Sequence, residues 1–163
     1  RNIETPDDYI YCTIHRPANT DDKERLQTIF DALIESGEHI VLPLHPRTAA
    51  RLKDYGLWEK YQDIDFREPV GFLESLALNR NSKKVVTDSG GVLREAYFLK
   101  KSCIIVRDSI EFREAVDSGE AKLAHEKDEL LDGIKNFKAK GEFKEFFGDG
   151  KSAEKMVRIM EES

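Results

Sequence analysis

Only two cysteines, Cys12 and Cys103, occur in the sequence, and both lie inside strand-like apolar runs, where a Cys is ordinarily a small buried hydrophobe. Neither reads as a nucleophile or a ligand, and a cytoplasmic location is expected. Positive charge is also in short supply: 26 Lys and Arg against 32 Asp and Glu give a formal net charge of -6. That balance argues against a general affinity for nucleic acid or an anionic membrane, while leaving room for one small anion held locally. No apolar stretch approaches the ~20 residues of a membrane span, so no membrane-embedded role is expected. His39 and His125 have no Cys or His spaced to join them, and no metal is assigned to either. The chain begins at Arg1 with no charged and apolar leader behind it, which predicts a piece of something longer.

What is present is an alternation of strand-like and helix-like patterns. A length of 163 residues suits one domain that needs neither disulfide nor metal to fold. Tyr9 to Ile14 is β-prone, and Asp21 to Glu35 places Leu26, Ile29, Phe30, Leu33 and Ile34 on one helical face. The unit repeats as Ile40 to Leu44 with Thr48 to Tyr55, Ile64 to Phe66 with Phe72 to Leu78, and Lys84 to Thr87 with Val92 to Leu99. Ser102 to Val106 is a further strand, an acidic segment runs from Arg107 to Gly119, and Ala121 to Ala124 is a short strand candidate. Lys127 to Lys138 and Ser152 to Glu162 read as helices, and the charge runs Asp21 to Arg25 and Lys138 to Lys144 as solvated helix faces. Strands that are apolar throughout predict an α/β fold, a Rossmann-like parallel sheet with helices on both faces. Ligands of such sheets bind beyond the C-terminal strand ends, so the residues following each strand are the candidates.

The strand ending at Thr87 runs into Asp88, Ser89, Gly90 and Gly91 and then a helix. Two glycines allow a tight turn and close approach of a ligand, and the free amides of a helix N-terminus favour a diphosphate. Glu95 lies about 6 Å further along the helix, near the distance from a diphosphate to the ribose of the same nucleotide. The alternative is that Asp88 or Ser89 only caps the helix and the glycines serve an ordinary turn. Two other loops each present a His and an Arg at the same sheet edge: His15 and Arg16 after the first strand, His45 and Arg47 after the second. They supply up to four donors around an anion in an otherwise acidic domain. Arg107 follows the fifth strand; beside Asp108, Glu111 and Glu114 it is either a ligand group or half of a local ion pair.

Read together, these loops resemble the non-hydrolysing UDP-N-acetylglucosamine 2-epimerases. The matching pieces are Thr13 to Asn19, Leu42 to Thr48, Glu68 to Leu73, Thr87 to Ala96, Val106 to Glu111 and Gly148 to Ala153, in the family's order. The resemblance implies the C-terminal half of a GT-B-like two-domain enzyme, with the N-terminal Rossmann-like half absent from this chain. It implies elimination and re-addition of UDP at the sugar, with inversion at C2 and no cofactor. By position, Ser89, Gly90, Gly91 and Glu95 would hold phosphate and ribose, Arg16 and Arg107 would flank the nucleotide, and His15 would be catalytic, near diphosphate and sugar. His45 would match a second UDP-sugar site. The implied partners are UDP, a UDP-sugar, the missing half and a second copy in a homodimer. This chain differs from the family's usual residues at Ala18, Ser75, Arg94, Phe112 and Arg113. Ser75 stands where an aromatic residue stacks on uracil, and Phe72 is the nearest ring that could substitute. A GT-B glycosyltransferase, a hydrolysing epimerase and a non-catalytic nucleotide-sugar module are the alternatives.

Overall fold

The computed structural model describes residues 5–162. Six parallel strands form the sheet: β1 (Ile10–Thr13), β2 (Ile40–Pro43), β3 (Asp65–Arg67), β4 (Lys84–Thr87), β5 (Cys103–Ile105) and β6 (Ala121–Leu123), in spatial order β3-β2-β1-β4-β5-β6. The order reverses between β1 and β4, which makes the loops after these two strands the walls of the crevice where doubly wound folds take ligands. Thr13 lies in register with Thr87, so both loops leave the sheet at the same level.

The helices are α1 (Pro17–Thr20), α2 (Lys23–Glu35), α3 (Pro46–Asp54), α4 (Phe72–Asn81), α5 (Gly90–Phe98), α6 (Arg113–Asp117), α7 (Lys127–Asn136) and α8 (Ser152–Glu161). Strand periodicity sorts the core into two layers. Ile10, Cys12 and Ile14 face α2, α3 and α7, where Leu26, Ile29, Phe30, Leu33, Leu52, Leu130 and Ile134 are buried. Tyr9 and Tyr11 point the other way, into Leu78, Leu93, Ala96, Tyr97 and Ala115 of α4, α5 and α6. The fully buried Phe30 illustrates the scale, since truncating such a side chain to Ala costs about 3–5 kcal/mol. Cys12 and Cys103 are free, buried members of these layers, as their apolar surroundings require.

The Rossmann-like parallel sheet with helices on both faces is the architecture that the alternating pattern predicts. Three short elements escape the pattern. One turn of helix, α1, begins at Pro17, whose fixed φ suits a first helical position. A 3₁₀ turn spans Trp58–Tyr61, and α6 falls inside the stretch read as an acidic segment. At four or five residues each, they are too short for helical periodicity to register. The run Lys138 to Lys144 is not helical; it crosses the sheet edge as irregular chain. There the buried Glu120 carboxylate accepts the amides of Gly141 and Glu142, at 3.1 and 2.8 Å.

Candidate functional site

The β4–α5 junction is built by hydroxyls. Thr87 Oγ1 meets Thr13 Oγ1 at 2.6 Å across the β1–β4 pair and accepts the Ser89 amide at 2.9 Å. Ser89 is the N-cap of α5, its Oγ accepting the Val92 amide at 3.4 Å. Gly90 and Gly91 are the first two helical residues, whose amides have no acceptor within the helix and face outward with the positive end of its dipole.

The reason for the glycines differs from the expected one. Neither has positive φ, so no tight turn demands them. Packing is tight at Gly90, because a Cβ there would come within 3.2 Å of Phe112 Cε2 and that ring would have to give way by a few tenths of an ångström. A Cβ on Gly91 would meet only Ser89 Oγ, at 3.6 Å, so the protein itself does not exclude a side chain at that position.

Glu95 sits one turn along α5 with its Oε2 buried and without a hydrogen-bond partner. Desolvation pushes its carboxyl above the usual carboxylate range, with Arg94 opposing the shift. A buried carboxylate oxygen lacking donors costs free energy, and a ligand hydroxyl is a group that can relieve it. Nearby, Tyr11 Oη and Ser75 Oγ are 2.7 Å apart. Burial lifts the Tyr11 phenol to about 12 despite the Ser75 hydrogen bond, with Glu95 adding a smaller push upward.

His15 and His45, from loops 30 residues apart, stack with ring centroids 5.3 Å apart and planes at 29°. His45 is the N-cap of α3, its Nδ1 accepting the Arg47 amide at 3.1 Å. Desolvation and the neighbouring His15 hold its pKa below the ordinary imidazole value. Of the four expected donors, Arg47 is occupied elsewhere: its guanidinium donates to Asp21, which Arg51 also meets, each pair at 3.0 Å. Arg107 makes a bidentate pair with Glu111, at 2.9 and 2.8 Å, so the local ion pair exists, and the guanidinium is nine-tenths covered. Arg16 is close enough to lower the Glu111 pKa further. His15, Arg16, His45, Ser89, Gly90, Gly91 and Arg107 thus gather at the carboxyl edge of β1, β2, β4 and β5. Phe72 opens α4, is 66% exposed and has no aromatic ring stacked on it among the described residues.

Asp88 is the residue that sequence reasoning undervalued. It is not the cap of α5; its fully buried carboxylate accepts the amides of His15 and Arg16 and the side chain of Asn19. Asn19 in turn donates to the Val106 carbonyl and accepts from Arg25 Nε. Local pattern carried no signal for this, because the donors lie in a loop 72 and 73 residues earlier in the chain. No group of three or more metal-ligating side chains occurs among the described residues.

A doubly wound α/β sheet that opens its switch point onto a free helix N-terminus, two glycines and paired imidazoles defines a domain of the kind that receives phosphorylated ligands there. Its family follows from comparison: a family model described as UDP-N-acetylglucosamine 2-epimerase matches residues 1–161, and the chain belongs to that family. A Methanococcus maripaludis "UDP-N-acetylglucosamine 2-epimerase homolog" is 43% identical over 93% of this chain and 44% of its own length. A Pseudomonas aeruginosa UDP-2,3-diacetamido-2,3-dideoxy-D-glucuronate 2-epimerase is 44% identical over 72% of this chain and 33% of its own. The crystal structure of Methanocaldococcus jannaschii UDP-GlcNAc 2-epimerase in complex with UDP-GlcNAc and UDP superposes with a TM-score of 0.88 at 40% identity, covering 96% of this chain and 46% of that one. The chain spans about half the length of the curated relatives it matches, or less.

Proposed function

We propose that this chain is the UDP-binding, C-terminal half of an enzyme that epimerises UDP-N-acetylglucosamine to UDP-N-acetylmannosamine by eliminating and re-adding UDP. The observation that carries the reading is the buried, partnerless Oε2 of Glu95, one turn beyond a helix N-terminus at the switch point. The amides of Gly90 and Gly91 receive the diphosphate, and Glu95 accepts the ribose hydroxyls that satisfy its orphaned oxygen. His15 and Arg16 flank the diphosphate on the β1 side and Arg107 on the β5 side. As the C1–O bond breaks, negative charge develops on the departing diphosphate, where imidazole and guanidinium groups stabilise it. The groups that abstract and return the C2 proton belong to the rest of the protein, so the chain by itself binds without turning over. No redox cofactor or metal is invoked, and the whole enzyme is taken to be a cytoplasmic homodimer.

Titration of UDP into the chain and into its Glu95→Ala variant tests the binding reading; equal, weak binding by both would sink the role of Glu95. In the protein that contains this chain, UDP-N-acetylmannosamine bearing solvent deuterium at C2 is the expected product. Free sugar plus UDP marks a hydrolase, and turnover only with an acceptor marks a glycosyltransferase. The Pseudomonas aeruginosa relative favours a second reading of the sugar, a diacetamido uronate in place of N-acetylglucosamine. Competition between the two UDP-sugars under identical conditions separates these readings.

A further inference from the structure

The loop after β1 is tied down by one carboxylate. Asp88 Oδ2 accepts three donors, from the His15 amide at 3.0 Å, the Arg16 amide at 2.9 Å and Asn19 Nδ2 at 3.1 Å. Oδ1 has only the longer contact with the His15 amide, at 3.2 Å, and lies 3.5 Å from His15 Nδ1. The Asp88 side chain is fully buried. At that distance the pair is not a formed hydrogen bond and its influence is electrostatic: beside a buried carboxylate an N–H dipole at Nδ1 is favoured over a lone pair. The ring is also held in its plane by His45, whose own orientation is set by the Arg47 amide. His15 Nε2 has no partner among the described residues, and the side chain is about one third exposed.

We propose that Asp88 is a positioning residue for His15, keeping the neutral imidazole in its Nδ1–H form so that proton exchange with a ligand takes place at Nε2. The argument parallels any carboxylate–histidine pair in which the acid fixes tautomer and orientation without itself changing protonation. Its catalytic meaning rests on the epimerase reading above: with Nδ1–H held beside Asp88, Nε2 takes a proton from solvent, the imidazolium stabilises the departing diphosphate, and the proton leaves from Nε2 again when UDP is added back. The tautomer does not depend on that reading. Asn19 and Arg25 extend the arrangement, because Asn19 Nδ2 also donates to the Val106 carbonyl at 2.9 Å while Arg25 Nε donates to Asn19 Oδ1 at 3.1 Å, fixing the amide that holds Asp88.

Long-range ¹H–¹⁵N spectra of the ¹⁵N-histidine-labelled chain, recorded above the imidazole titration range, read the tautomer of each ring directly, with His15→Gln giving the assignment. The expected result is a protonated Nδ1 and an unprotonated Nε2 for His15 in the wild type, and loss of that preference in Asp88→Asn. A wild-type His15 protonated at Nε2, or an unchanged Nδ1–H form in Asp88→Asn, overturns the proposal. If Asp88→Asn fails to fold, the wild-type spectrum alone decides. Adding UDP to the same samples tests the nucleotide reading separately, since absent binding would remove that reading and leave the tautomer standing. In the enzyme containing this chain, Asp88→Asn is expected to lower kcat by about 100-fold or more with little change in KM. A raised KM with unchanged kcat overturns the catalytic consequence.

Discussion

The hydroxyls of Thr13 and Thr87 lie 2.6 Å apart across adjacent parallel strands, and the second of them also accepts the amide of Ser89. One side-chain oxygen therefore joins β1, β4 and the start of α5. Thr87→Val preserves the shape but leaves the Ser89 amide and the Thr13 hydroxyl without their partner. The expected cost is about 1–3 kcal/mol, read as a lower denaturant midpoint at unchanged slope. A midpoint equal to wild type would show that the junction does not depend on this oxygen.

Glu95 should oppose stability and binding to each other. Its folded pKa is raised above the ordinary 4.5 by desolvation. Below that value the carboxyl is protonated in both states and its contribution is fully present; as pH rises the unfolded chain ionises first, and stability is lost until pH passes the folded pKa. Glu95→Gln should remove this decline, making the variant more stable than wild type at neutral pH. The same variant should bind UDP about 10-fold to 100-fold more weakly, since a charged hydrogen bond contributes about 1.5–3 kcal/mol. Urea melts across pH and calorimetric titration with UDP measure the two halves; Glu95→Gln that is both less stable and equally tight would contradict the assignment.

The two glycines should separate cleanly. Gly90→Ala pushes a methyl to 3.2 Å from the Phe112 ring and should lower the melting temperature unless that ring yields. Gly91→Ala meets nothing closer than 3.6 Å, and in a helix alanine is favoured over glycine by up to about 1 kcal/mol. It should fold as well as wild type or better and yet bind UDP less tightly, because the methyl occupies the space a phosphate needs. A Gly91→Ala protein with wild-type affinity would place the phosphate elsewhere.

Arg107 is divided between Glu111 and any anion in the crevice. The hydrogen bonds from Arg107 hold the Glu111 carboxyl down at about 2, so this pair supports folding above the ordinary 4.5 and its support fades as pH falls from there toward 2. Glu111→Gln should flatten that acid limb. It should also release the guanidinium and tighten UDP binding by about fivefold at most at low salt, because Glu111 is largely exposed even though Arg107 is covered. Unchanged affinity would remove Arg107 from the nucleotide site.

Much of this molecule was legible without coordinates. Continuous apolar strands alternating with amphipathic helices require a parallel sheet covered on both faces, because that arrangement buries both sides of every strand. Loops rich in His, Arg, Ser and Gly after those strands then mark the carboxyl edge, and their order marks the family. What local pattern could not supply is where a side chain finds its partner across the sheet. Arg47 looked like an anion ligand until Asp21, 26 residues away, was found to hold it. Asp88 read as part of the phosphate turn or, alternatively, as a helix cap, yet its acceptors serve a loop 72 and 73 residues earlier in the chain. Gly90 looked like a turn residue, but its φ is not positive and it is the ring of Phe112 that would crowd a side chain there. Periodicity and turn chemistry are local and survive in one dimension. Pairing and steric exclusion are properties of distance, and only the folded packing of β1, β4 and α5 decides which buried oxygens are satisfied and which, like Oε2 of Glu95, are left without a partner among the described residues.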